Sequence, residues 1–272
     1  MTRPTPLTDL CALARHRARA DMSALFLQEA ARDEVQDRLM MVNKSFSSVG
    51  IVAAFPQLWQ RQLENAHIVA EQEMLDLSPV AHDLVVHSLG LHWASDPVGQ
   101  LIQCRRALKA DGLLLAVALG GQTLHELRAC LAEAEVSETG GLSPRVAPMA
   151  EVRDLGALLQ RAGLALPVAD TVPLRVRYDS MWHLMRDLRA MGETNALSAR
   201  NRTTTRPRIM KRAADIYAAN YASEDGGILA TFELIVLTGW APDASQQKPL
   251  RPGSAQARLA DALKTDETSL PD

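Results

Sequence analysis

Aromatic residues make up only 4% of this 272-residue chain, so its core is expected to be aliphatic rather than built from stacked rings. Cysteine is nearly as scarce. Cys11, Cys104 and Cys130 are scattered, with no C-x-x-C pair. That argues against a disulfide framework and fits packed, free thiols in a reducing cytoplasm. No apolar run approaches the ~18 residues of a membrane helix, so no membrane span is expected. The opening MTRPTPLTDL lacks the apolar centre of a secretion signal, and a cytoplasmic location follows as the expectation. A large excess of charge of one sign is also missing. A formal net charge of −3 leaves the whole molecule without a nucleic-acid footprint. There is no H-x-x-x-H or H-E-x-x-H spacing to support a zinc site, and iron ligands drawn from distant segments stay open, so no metal ligands are assigned. No solenoid period recurs. What remains is 47% hydrophobic and long enough for one sizeable core, or for one core with a small lobe.

The clearest signal is the stretch from Asp83 to Gly121, DLVVHSLGLHWASDPVGQLIQCRRALKADGLLLAVALGG. Asp83–Val86 is an apolar run of strand length. Pro97 suits the first turn of a helix, where its missing N–H would be unpaired anyway. Val98, Leu101, Ile102 and Leu108 then recur at helical spacing. Ala110-Asp111-Gly112 reads as a turn, and Leu113–Leu119 as a second buried strand. Strand, helix, strand implies a right-handed crossover and a parallel sheet.

Around this unit the chain reads as helices over residues 7–42, a first strand at Val49–Phe55, a short helix from Pro56 to Leu63 and a second strand at Ala66–Ala70. Only Glu71 to His82 separates that strand from the next. A crossover with its helix needs about 10–12 residues, so a further strand between two helices has no room there. Further on, the pattern predicts helices near 123–137, 149–162, 180–191 and 209–221, and strands at 171–178 and 228–240. Gly163 is expected to stop the second of these helices. Residues 1–45 are expected to be an N-terminal helical segment, 46–240 an α/β domain and 241–272 a partly disordered extension. Arg15, His16, Arg17 and Arg19 form a basic cluster, read as a solvated helix face or as a docking surface for an acidic partner.

The phrases "DLV…LHW" and "LK.DG" resemble the core of class I S-adenosylmethionine methyltransferases. GGQTLHELRACLAEAE, GGLSPRVAPMAEVRDLGALLQRAGLALPVAD and MRDLRAMGETNAL narrow the resemblance. They are similar to the branch that contains the mitochondrial complex I assembly factor acting as an arginine hydroxylase and, more distantly, the malonyl-acyl-carrier-protein methyltransferases. The resemblance covers about Asp83 to Ala255. It implies a Rossmann-like sheet, mostly parallel with an antiparallel last strand, S-adenosylmethionine as cofactor, and a protein substrate or partner chain. Set against the family pattern, the sheet reads as reduced in its first half.

That first half also departs from the pattern in its cofactor loop. Where a glycine-rich turn is expected after the first strand, this chain has Phe55-Pro56. Pro56 removes a backbone donor and Phe55 fills space. Cofactor contact is assigned to Phe55, Glu71 and Ser88, with Glu71 in the place of the ribose acid or as a solvated loop charge. Substrate- or partner-facing positions are His92, Trp93, Gly120, Gly121, Arg145, Arg153, Gly192, Glu193 and Asn195. His92 follows a strand end, where α/β sheets bind ligands, or is a structural histidine beside Trp93. Gly120-Gly121 precedes a helix and can hold an anion, or serves a tight turn. Arg145, Arg153 and Glu193 are expected to be exposed contact points. No catalytic residue is assigned. Three functions stay open: a methyltransferase-like enzyme, a non-catalytic assembly factor, and a hydroxylase.

Overall fold

The structure is a computed structural model and describes residues 6–60 and 66–247. Its centre is a six-stranded sheet built from β1 (Val49–Ala53), β2 (His67–Val69), β3 (His82–Ser88), β4 (Leu108–Leu119), β5 (Ala165–Tyr178) and β6 (Ile228–Trp240), in the order β2-β1-β3-β4-β6-β5. The first four strands are parallel. The last strand inserts antiparallel between β4 and β5. This is the Rossmann-like arrangement expected, with its antiparallel last strand. β1 is buried along its whole length, as a strand covered on both faces must be.

The shortened first half is also there. Residues 70–81 contain neither helix nor strand, and β2 is the one strand between Pro56 and β3 among the described residues. The helix expected from Pro56 is a single 3-10 turn, Pro56–Leu58, and the end of that expectation lies outside the described residues. The turn expected at Ala110–Gly112 sits inside β4. Asp111 takes a left-handed φ of 56°, and Lys44 Nζ donates to its carboxylate at 2.6 Å.

Helices cover both faces. The helices α1 (Leu10–Arg17), α2 (Phe26–Met41), α3 (Pro97–Ala107), α4 (His125–Thr139), α5 (Val152–Arg161), α6 (Met181–Ala190) and α7 (Pro207–Asn220) complete the chain order. Side chains of α2, α4, α6 and α7 share one core with β1, β3, β4 and β6. α3 and α5 pack a second core on the opposite face. A third cluster of Ala12, Leu13, Trp93, Ala147, Ala196 and Leu197 holds α1 over the carboxyl edge of the parallel strands. Pro97 starts α3 as expected, with Asp96 capping through Gly99 N at 2.8 Å. Gly163 takes a φ of 77° just past α5. Residues through Pro242 form one compact unit, and Asp243 to Gln247 belong to a second. The remainder of the extension expected from 241 lies outside the described residues.

Candidate functional site

The carboxyl ends of β1 to β4 all open on one edge of the sheet, and the chain concentrates its unusual chemistry there. A cavity of about 210 Å³ lies on the α4–α6–α7 side of this edge. Its walls are apolar: Leu27, Leu119, Leu127, Leu131, Met149, Met185, Met210 and Phe232. Trp93, His92, Glu193, Thr194, Asn195, Arg145, Arg189 and Thr205 supply the polar groups. Asn195 Nδ2 donates to Pro144 O at 2.9 Å and so ties the two bordering loops together. An apolar concavity with a few convergent polar groups is the usual form of a ligand or side-chain pocket.

Behind Trp93 and His92 is a buried charged cluster. Glu193 accepts from Trp93 Nε1 at 2.6 Å and lies 3.4 Å from His92 Nε2. Arg17, from the last turn of α1, reaches Glu193 at 3.5 Å, pairs with Glu71 and donates to Leu89 O at 3.4 Å. The Arg17, Glu71 and Glu193 side chains are only 10%, 12% and 8% exposed. Burial opposes charge on Glu193. The His92 contact, the Arg17 charge and the indole N–H outweigh it and hold the carboxyl down at about 2. Desolvation likewise opposes charge on Arg17, and its two carboxylates override it, raising its pKa. His87, fully enclosed beside Gln100, is pushed down to about 4 by burial and is neutral near pH 7. Leu89 turns the chain here with a left-handed φ of 46°, a strained conformation for a leucine.

The expected site residues divide clearly. Glu71 and Ser88 do sit at the carboxyl edge, but Glu71 is engaged by Arg17 and Ser88 is completely buried. Phe55 belongs to the main core. His92, Trp93, Glu193, Asn195 and Arg145 converge on the cavity. Gly192 adopts a φ of 80° and lies against the Arg17 backbone.

Gly120 and Gly121 have no amide free for an anion. Their N–H groups donate to Glu233 O and Ala150 O, and the Glu233 carboxylate stands over the turn, accepting from Gln122 N at 3.0 Å. The reason for glycine is steric: a Cβ on Gly120 would meet Ala150 O at 2.7 Å. The expected exposure of Glu193 and Arg145 needs correction as well. Arg145 forks onto Glu135 at 2.8 and 2.9 Å and donates to Thr205 at 2.8 Å. Glu135 is drawn down to about 2, chiefly by that arginine. Arg153 is exposed on α5, which packs on the other face of the sheet, and does not line the cavity. Arg17 and Glu135 were not singled out as site residues, because their partners are remote in sequence or hidden in a helix pattern. Among the described residues no group of three His, Cys, Asp or Glu side chains is placed to hold a metal ion, and no helix is long and apolar enough to cross a membrane.

The chain is 40% identical over 197 residues to arginine-hydroxylase NDUFAF5, mitochondrial, of Danio rerio, covering 72% of this chain and 61% of that protein. It is 36% identical over 212 residues to the Homo sapiens protein of the same name, covering 78% and 61%. It is 33% identical over 188 residues to a malonyl-[acyl-carrier protein] O-methyltransferase of Laribacter hongkongensis, covering 69% and 61%. The chain thus spans about three fifths of the length of the curated relatives it matches. A solved putative methyltransferase from Bacillus halodurans superposes with a TM-score of 0.48 at 10% identity, over 77% of this chain and 98% of that one. No family model matches. The relatives' mitochondrial names overturn the cytoplasmic placement expected from the sequence. Free thiols and the lack of an apolar leader do not separate those compartments, because mitochondrial leaders are amphipathic.

Proposed function

We propose that this chain, similar to arginine-hydroxylase NDUFAF5 and to malonyl-[acyl-carrier protein] O-methyltransferases, is a member of the class I S-adenosylmethionine methyltransferase superfamily that recognises a protein partner through the cavity beside Trp93 and Glu193, with its cofactor position closed by its own side chains. One observation carries this reading. At the carboxyl edge Phe55 and the Arg17–Glu71 pair fill the space that follows β1 and β2, while the cavity beside Trp93 is open. Phe55, 6% exposed, packs into the core where a glycine turn would let a ligand approach. Arg17 holds Glu71, the acid that follows β2, and that carboxylate lies against Gly90. The residues present do not fit S-adenosylmethionine in this arrangement, so no methyl-transfer step is assigned.

The cavity suits a side chain delivered by another protein. Met149, Met185 and Met210 give adaptable apolar walls, and the bordering loops supply Asn195, Thr194 and Thr205 for polar contacts. A second reading follows from the relatives' printed activity. An arginine entering the cavity would meet the Trp93 ring and the Glu193 carboxylate at its inner end, a pairing suited to a guanidinium. The test is capture of partner chains by the full protein and by Met185→Trp, which narrows the cavity. We expect the variant to keep its melting point and lose the partner. Unchanged capture would reject the cavity as the recognition surface. Gain of one oxygen on a captured partner's arginine, seen by mass spectrometry, would favour the second reading.

A further inference from the structure

Helix α1 is docked in an unusual way. Of its eight residues only Ala12 and Leu13 are buried. Hydrogen bonds at its start fix it: Thr8 Oγ1 donates to Trp93 O at 2.7 Å, Asp9 N to Ala196 O at 2.8 Å, and Arg200 to the Asp9 carboxylate at 2.9 Å. At its other end Arg17 enters a pocket with acid on both sides. One terminal nitrogen takes Glu71, and the other is shared between Glu193 Oε1 and Leu89 O.

Two glycines make room for this. A Cβ on Gly90 would run into the Glu71 carboxylate, and one on Gly192 would come within 3.0 Å of the Arg17 Cα. The pocket is not fully matched to its occupant. Arg17 Nε, Glu71 Oε1 and His92 Nδ1 are buried there without a hydrogen-bond partner, and the His92 side chain is only 3% exposed. Two buried carboxylates facing each other without a cation would repel in a medium of low dielectric. Burial already raises the Glu71 pKa, so the pocket keeps both carboxylates charged only with a cation in place, and its three acceptors suit one that is planar with several N–H donors.

We propose that α1 is a latch keyed by Arg17, and that the two-carboxylate pocket beneath it is a seat for a guanidinium-type organic cation, which the free chain fills with its own side chain. When Arg17 leaves, Glu193 loses one of the groups that hold it, and Trp93 loses the cover that α1 provides. Both residues wall the cavity, so release of the latch alters the cavity from behind. The seat shares Glu193 with the cavity's lining, whereas Arg17 and Glu71 do not line it, and its occupancy can be read whether or not a partner binds in front.

The experiment is chemical rescue. Arg17→Ala in the full chain should melt several degrees below the parent. Guanidinium chloride at low millimolar concentration, far below its denaturing range, should restore at least half of that loss. Urea, its neutral counterpart in shape, and sodium chloride at equal concentration should not, and the parent chain, whose seat is filled, should gain nothing. Recovery that is equal for guanidinium and sodium chloride, or absent, overturns the proposal. Should Arg17→Ala fail to fold, Glu71→Gln keeps the shape of the seat and removes half its charge. Amide exchange across residues 10–17 should then quicken by about tenfold or more, as expected when a charged hydrogen bond is weakened. Unchanged protection of α1 in that variant also overturns it.

Discussion

Glu193→Ala removes the residue on which the inner end of the cavity depends. The carboxylate accepts the Trp93 indole N–H at 2.6 Å, faces His92 at 3.4 Å and gives Arg17 its second acid. A hydrogen bond to a charged group contributes about 1.5–3 kcal/mol. Breaking a buried ion pair on one side costs about 3–5 kcal/mol, because the remaining charge stays out of water. These contributions overlap, since Glu71 still holds Arg17, so a total of about 3–5 kcal/mol is the expected loss. In a domain of this size each kcal/mol moves the melting point by about 2–4 °C, which gives a drop of about 6–20 °C by calorimetry or circular dichroism at neutral pH. Glu193→Gln, which keeps an acceptor for Trp93, should lose roughly half as much. The carboxyl sits at about 2 in the folded chain against an ordinary 4.5. A depressed carboxylate stabilises fully above its unfolded value, so this contribution is present above about pH 4.5 and fades as pH falls towards 2. In Glu193→Ala that part of the acid dependence should be missing. A melting point within about 2 °C of the parent would refute the buried-anchor account and restore the view of Glu193 as an exposed contact.

Arg145→Ala leaves Glu135 buried with Ser143 as its remaining partner, and should cost about 3 kcal/mol in a denaturant melt. Glu135 is also held at about 2, so the parent should lose stability as pH falls from 4.5 towards 2, and this slope should be shallower in the variant. Gly120→Ala should destabilise by about 1–3 kcal/mol through the forced contact with Ala150 O, a shift readable as a lower urea midpoint at unchanged slope. In the folded protein a thiol reagent should modify Cys11 rapidly. Cys104 and Cys130, buried and pushed up to about 12 and about 11 by desolvation, should stay protected until unfolding, and rapid labelling in Cys11→Ser would contradict the packing.

The sheet was readable because local signals and tertiary demand agree in it. Ile228–Trp240 is a long apolar stretch that follows the Gly226-Gly227 turn, and it is β6 residue for residue. Pro97 and Gly163 mark helix ends through their own backbone limits. The short gap between β2 and β3 was a matter of counting residues. Arg17 could not be read in this way. It stands between Arg15 and Arg19, both exposed, and its carboxylate partners are 54 and 176 residues away. A helix pattern reports which face is apolar, not which single cation turns inward. Glu193 was misjudged for a related reason. It follows Gly192 at a helix end, where polar residues usually meet solvent, and the packing of α1, His92 and Trp93 across that turn buries it.

The state of the cofactor position decides whether this protein works by recognition alone. Titration calorimetry of the full chain with S-adenosylmethionine tests it. With Arg17 on Glu71 and Phe55 in the core, no saturable binding is expected below about 100 μM. Clear low-micromolar binding to the parent chain would contradict it. It would mean that the edge around Glu71 and Ser88 takes the cofactor in spite of the Arg17–Glu71 pair.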